Sequence, residues 1–228
     1  MRLVALLTAF LVTASSAAFK LSAGVAPAIV GGDVDPALAP WTGRAVAEML
    51  SWEISMVQTI RVIDPATLEK QLPGWATRTE LGADEIDRAR DAGRAVDAEA
   101  VLVPRLVHNG FEATLELAVV VRKDMKERLI RLETQGPDDA VLGQLRGQVV
   151  NTLDSLGFPV PASLRQMVKI RFTTKWAALL SYGRGLRSLS EGNKEEALRY
   201  LRETLAIEPN LSAALVRTRT LEKELPGR

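Results

Sequence analysis

The sequence has no cysteine and a single histidine, His108, so the reactive chemistry open to it is narrow. Without thiols there is no disulfide, no thiolate metal site and no cysteine to carry a lipid behind an export signal. One imidazole cannot build a zinc site alone. Neither a calcium-type acidic loop ending in glutamate nor a Gly-x-x-x-x-Gly-Lys phosphate loop occurs. Charge of one sign is also missing: the formal net charge is +1. No global field therefore draws the chain to nucleic acid or to an anionic membrane. Long apolar runs are absent as well, apart from one at the start. Arg2, the apolar run Leu3 to Ala14 and the small residues Ser16-Ala17-Ala18 read as an export signal over residues 1–18. That run falls short of the roughly 20 residues a bilayer-spanning helix needs. The expectation is a cleaved signal, with an uncleaved anchor or a buried first strand as the alternatives, and a periplasmic protein that is not a lipoprotein, with no transmembrane segment in the mature chain.

What is present is ordinary globular composition, 47% hydrophobic and 25% charged. Phe19, Leu21, Ala23 and Val25 alternate with polar or small residues, as a half-buried strand does, and Pro27 ends the run. Gly31-Gly32-Asp33-Val34-Asp35-Pro36 is turn chemistry. From Pro40 to about Val57 the period becomes helical. Trp41, Ala45, Met49, Trp52 and Met56 form the expected buried stripe, widened by Val46, Leu50 and Val57. Ile60 to Ile63 is a short strand. Asp84 is the expected N-cap of a helix reaching about Val96. Two β-rich runs, Ala98 to Val107 and Phe111 to Val121, flank His108-Asn109-Gly110, a hairpin signature. A turn at Lys123 to Lys126 leads to a third strand, Arg128 to Thr134. Gly136-Pro137-Asp138-Asp139 opens a helix whose stripe is Leu142, Leu145, Val149 and Leu153, and Pro159 to Pro161 reads as a boundary. Beyond it Leu164 to Leu189, Lys194 to Ile207 and Leu211 to Leu225 all read as helices.

The expected fold class is α+β: a small α/β sandwich, with a mixed sheet, a β-meander and packed helices over residues 19–158. A helical unit follows over 162–228.

Two resemblances sit on these residues. Val25-Ala26-Pro27, the Gly32-Asp33 and Asp35-Pro36 loop, the helix Gly43 to Leu50, the strand Ile60 to Asp64, Ala98 to Val103 and Gly136 to Asp139 follow one another as in the amino-terminal domain of the translocation protein TolB. The flagellar protein FlgO and the curli secretion lipoprotein CsgG share that pattern. The chain departs from it at Ala28, where phenylalanine is usual, and at Ala98 and Glu99. Gly185, Gly192, Ala197, Leu201, Leu205 and Pro209 are spaced as in one tetratricopeptide repeat over about 178–211, with 211–225 as a capping helix. Thr204 stands where alanine is usual and Arg184 where leucine is. The resemblances imply a non-enzymatic envelope adaptor or scaffold that binds protein partners through the repeat's groove and the α/β domain. The alternative they imply is a subunit of a secretion- or flagellar-type oligomer.

No cofactor, metal or catalytic residue is expected. Ile29-Val30-Gly31-Gly32 copies the mature start of trypsin-like proteases, but the rest of their machinery is missing. His108 reads as a polar turn residue, and Glu48 and Glu53 as solvated helix-face residues. Lys169, Arg171, Lys175, Arg184 and Arg187 form a loose basic face, either simply solvated or in contact with an acidic partner or phospholipid head groups.

Overall fold

The computed structural model describes residues 21–57, 60–123, 126–155, 162 and 175–225. The export signal, Pro159 to Pro161, Lys169 and Arg171 lie outside them. In chain order the elements are β1 (Leu21–Val25), β2 (Ile29–Gly32), α1 (Ala39–Ser55), β3 (Ile60–Val62) and α2 (Pro65–Glu69). A 3-10 turn (Trp75–Thr77) and α3 (Ala83–Ala95) follow. Then come β4 (Ala100–Asn109), β5 (Glu112–Lys123), β6 (Lys126–Pro137), α4 (Asp138–Ser155), α5 (Trp176–Ser190), α6 (Lys194–Ile207) and α7 (Ser212–Glu224).

Proline 27 shapes the first edge of the sheet. It has no N–H to give to a ladder, and the strand breaks around it into β1 and β2, both parallel to β4. Val25 pairs with Leu102 and Ile29 with Arg105, so the first strand holds one residue more than its partner between those points. A one-residue bulge inverts the side-chain alternation. Leu21, Ala23 and Val25 face one core, yet beyond the bulge Ala28 and Val30 face it instead. Polar groups at the bulge find partners: Ala26 N–H bonds Leu102 O at 2.9 Å, Ala28 N–H bonds Gly43 O at 2.9 Å, and the Trp75 indole N–H donates to Pro27 O at 2.7 Å.

The fold is α+β. The sheet runs β3-β1-β4-β5-β6 with β2 alongside β4; the pairs among β1 to β4 are parallel, and β4-β5-β6 is an antiparallel meander. Its two faces bury separate cores. Leu102, Leu106, Leu115, Leu117 and Val119 meet α1 and α4 on one side. Val101, Val103, Ala118 and Val120 meet α3, Leu68 of α2 and Trp75 on the other. Each fully buried leucine or isoleucine here contributes about 1.5–3 kcal/mol.

Helix α1 lies between the sheet and the carboxy-terminal helices, which pack on its outer side through α5 and α7. On the sheet side a Cβ at Gly43 would sit 2.1 Å from Ala28 O, so only glycine permits that approach. Because two layers cover the helix, its buried set is Thr42, Gly43, Ala45, Val46, Ala47, Leu50, Ser51 and Ile54. The expected stripe is therefore rotated. Trp52 and Met56, read as core, are each 39% exposed.

Three further expectations are corrected. The β4–β5 turn is centred on Gly110 and Phe111, not on Asn109-Gly110, since Asn109 still pairs with Glu112. Only Gly110 takes a positive φ (68°), which places Gly at the first central position, as a II′ turn requires. Helix α3 is capped at Gly82, not Asp84, and Glu85 Oε2 accepts the Gly82 N–H at 3.1 Å. Glu48 is not a solvated face residue; its side chain is 11% exposed.

Candidate functional site

Two further residues of strand before the turn, His108 and Asn109, decide where His108 points. Within β4 it has the parity of Leu102 and Leu106, so its ring enters the α1–α4 side of the sheet and is buried. Nδ1 lies 2.5 Å from Asp33 Oδ1 and Nε2 lies 3.3 Å from Asp138 Oδ2. Both contacts are hydrogen bonds only when the ring carries two protons. The Trp176 indole stacks on the imidazole, with centroids 4.2 Å apart and planes 1° from parallel. Four elements thus converge: the end of β2, the end of β4, the first turn of α4 and the first residue of α5.

Local sequence explains the convergence. Gly32 takes φ +86°, and a Cβ there would stand 1.8 Å from His108 O, so the β2 end closes tightly on β4. That turn directs Asp33 back, where its N–H bonds His108 O at 2.8 Å and its Oδ2 accepts the Gly110 N–H at 2.7 Å. The His108 hydrogen bond, followed by that of Gly110, holds the Asp33 carboxyl below its ordinary range. Asp138 and Asp139 occupy the first turn of α4, where carboxylates suit the helix dipole. Asp139 Oδ1 also accepts the Trp176 backbone N–H at 3.0 Å, pinning the start of α5.

A cleft of about 530 Å³ opens beside this cluster, between the 33–38 loop and the α5–α6 pair. It lies outside the carboxyl ends of the parallel strands β2 and β4. Chain connections leave β1 and β2 toward β3 through α1 and return past them to β4 through α3, the kind of switch point at which α/β sheets hold ligands.

A second, more apolar groove of about 620 Å³ runs between α1 and α7. Trp52 (39% exposed) and Val216 (45% exposed) lie along it, with Ala213 and Leu221 beneath. Its wall contains a buried polar network. The Tyr182 hydroxyl donates to Glu48 Oε2 at 2.7 Å, and Arg217 grips both Glu48 oxygens, Nε at 2.9 Å and Nη2 at 2.6 Å. Arg217 Nε also reaches the Tyr182 oxygen at 3.1 Å. Burial, then the Glu48 charge, pushes the Tyr182 hydroxyl far above its ordinary range. For Arg217 burial works downward, but Tyr182 and Glu48 outweigh it and the guanidinium is held more firmly protonated than usual. This network joins α1, α5 and α7.

The predicted residues divide as follows. Gly185 of α5 faces Leu201 and the Ala197 carbonyl where α5 crosses α6, and Ala197 and Leu201 are fully buried. Gly192 forms the turn between the helices at φ +80°. Leu205 is half-buried near the end of α6, and Pro209 is exposed beyond it. The basic residues are not one face. Arg184 and Arg187 line the cleft, whereas Lys175 precedes α5 away from that lining. Arg187 is paired with Glu191 at 2.8 Å.

Sequence reasoning missed Asp33, Asp138 and Trp176 as partners of His108. The available signal was the alternation of β4, which continues inward to position 108. No local signal marks Glu48, Tyr182 and Arg217, which are far apart in the chain.

Among the described residues no group of three His, Cys, Asp or Glu is placed to hold a metal ion, and no helix is long and apolar enough to cross a membrane. No protein-family model matches the chain, and no curated protein does. Among solved structures it is similar to the C-terminal domain of LpoB from Salmonella enterica, at 13% identity over 54% of this chain and 87% of that one, with a TM-score of 0.33. It is also similar to the lipoprotein GNA1162 from Neisseria meningitidis, at 18% identity over 59% of this chain and 96% of that one, again with a TM-score of 0.33. At these TM-scores the functional reading rests on the chain's own residues.

Proposed function

We propose that this protein is a non-catalytic, exported interaction module of a bacterial cell envelope, in which a TolB-like α/β domain carries a single tetratricopeptide-type hairpin. The observation that carries the reading is the α1–α7 groove, where Trp52 and Val216 are left exposed between helices that are otherwise well packed. Apolar anchors in a groove between helices suit the capture of an amphipathic helix or an extended segment. The glycine and alanine at the α5–α6 crossing support the repeat assignment, and the amino-terminal signal pattern supports export.

The geometry of His108 favours binding over catalysis. A general base needs a nitrogen within reach of substrate. Here both ring nitrogens face carboxylates and one ring face is covered by Trp176.

The test is in-cell photo-crosslinking of the full chain, with the reactive side chain placed at Trp52, at Val216 or at the distant Arg94. The reading expects one discrete protein adduct from the two groove positions and none from Arg94. Equal adducts from all three, or none from the groove, would overturn it.

One observation favours the oligomer alternative. Strand β6 pairs only with β5 among the described residues, leaving a long sheet edge open. Light scattering of the full chain decides: a concentration-independent ring supports that reading, and a monomer removes it.

A further inference from the structure

We propose that the cleft between the 33–38 loop and α5 is a binding site for a zwitterionic, peptide-like ligand, with Arg184 taking its carboxylate and Asp35 its ammonium group. The site is separate from the α1–α7 groove.

The charges of the cleft argue for this class. Four carboxylates (Asp33, Asp35, Glu191 and Glu196) face two guanidinium groups (Arg184 and Arg187). That balance repels a simple dianion such as phosphate and favours a ligand carrying positive charge. Most of these groups are already committed. Asp33 is held by His108 and Gly110, Arg187 by Glu191, and Glu196 accepts hydrogen bonds from Ser188 and Asn193. Two are not. The guanidinium of Arg184 has no partner among the described residues. Among the described residues the Asp35 side chain accepts only the Ala37 N–H, through Oδ1 at 2.9 Å, and its charge bears on Arg187 without an ion pair, which leaves Oδ2 open. One cation with no partner among the described residues and one carboxylate with an open oxygen therefore line the same cleft.

The remaining surface fits a peptide better than a bare ion. Leu38 and Leu180 line the cleft together with the edge of the Trp176–His108 stack. About 530 Å³ lies within the range of small-ligand sites and admits a few residues of chain. The location at the carboxyl ends of β2 and β4 is the place the topology favours. Arginine suits the carboxylate end, since its planar fork matches that geometry with two donors.

The experiment is isothermal titration of the full chain with the tripeptide Ala-Leu-Ala, with its C-terminal amide, with its N-acetyl form and with inorganic phosphate. The free tripeptide is expected to bind. Amidation should weaken it about tenfold, the loss of one charge-assisted contact. Arg184→Gln should cause the same loss for the free peptide and none for the amide. Asp35→Asn should behave likewise toward the acetylated form. Both positions are exposed and neither variant disturbs the core. Absence of binding by the free peptide at 10 mM, equal affinity for the amide, or displacement by phosphate would each overturn the proposal. Because the α1–α7 groove is untouched by these variants, failure here leaves the adaptor reading standing.

Discussion

The Tyr182–Glu48–Arg217 network makes a quantitative prediction about how the carboxy-terminal helices are held on the α/β layer. Tyr182→Phe removes one hydroxyl, which donates to a buried carboxylate and accepts from Arg217 Nε, and changes little else. A hydrogen bond to a charged group contributes about 1.5–3 kcal/mol, and the low end applies because Arg217 still satisfies both Glu48 oxygens. For a chain of this size each kcal/mol moves the midpoint by about 2–4 °C, so the expected drop is about 3–6 °C. Glu48→Ala goes further, leaving the tyrosine without its acceptor and the guanidinium without its counter-ion. Breaking a buried pair costs about 3–5 kcal/mol, and since the Arg217 side chain is 37% exposed the expectation falls to about 2–4 kcal/mol. Urea unfolding followed by both helical signal and tryptophan emission measures these changes. If the network binds the layers into one unit, the two signals move together in both variants. A Tyr182→Phe protein within 0.5 kcal/mol of the parent would refute the reasoning. So would a Glu48→Ala protein whose helical signal melts separately from its tryptophan signal.

Other predictions concern the β2–β4 end and the α6 terminus. Gly32→Ala forces a Cβ onto the His108 carbonyl at positive φ, and should cost at least about 2 kcal/mol in denaturant unfolding. Asp33, with its carboxyl held low in the native state, contributes stability that is present above its unfolded value near 3.8 and is lost as pH falls through the lower native value. Asp33→Asn should therefore be less stable than the parent at neutral pH, with the gap closing in acid; a gap that widens below pH 4 would contradict the assignment. Glu208 has the opposite sign. Burial raises its carboxyl, although Lys175 opposes this, so its charged form costs stability as pH rises. Glu208→Gln should be no less stable than the parent at pH 8, read from the thermal midpoint.

The α+β class and much of the element order were legible because strand and helix periods alternate along this chain, and the hairpin was visible in Asn109-Gly110, but β2 lay partly in residues that read as turn chemistry. What eluded the sequence was orientation. Carrying β4 two residues further, to Asn109, converts His108 from a turn residue into a buried ring, because it then continues the alternation of Leu102 and Leu106. Helix α1 was misread for a related reason. A helix covered on one side shows a single apolar stripe, but α1 is covered on two. Thr42, Ala47 and Ser51 therefore go inside while Trp52 and Met56 come out. The cleft and the groove both lie between elements far apart in sequence, such as Glu48 and Arg217, and spacing along the chain carries no trace of such meetings. Arg184 was picked out as basic, yet its importance lies in having no partner among the described residues, a property only the packed chain reveals.

The central claim is that the α1–α7 groove binds a protein partner by shape. Once crosslinking supplies that partner in pure form, its affinity for the parent protein and for Val216→Glu tests the claim most directly, with the thermal midpoint recorded alongside. Val216 is exposed, so the substitution should leave the midpoint unchanged and weaken binding by about tenfold or more, as a charge placed in an apolar contact does. Unchanged affinity in a normally folded Val216→Glu protein would contradict the account.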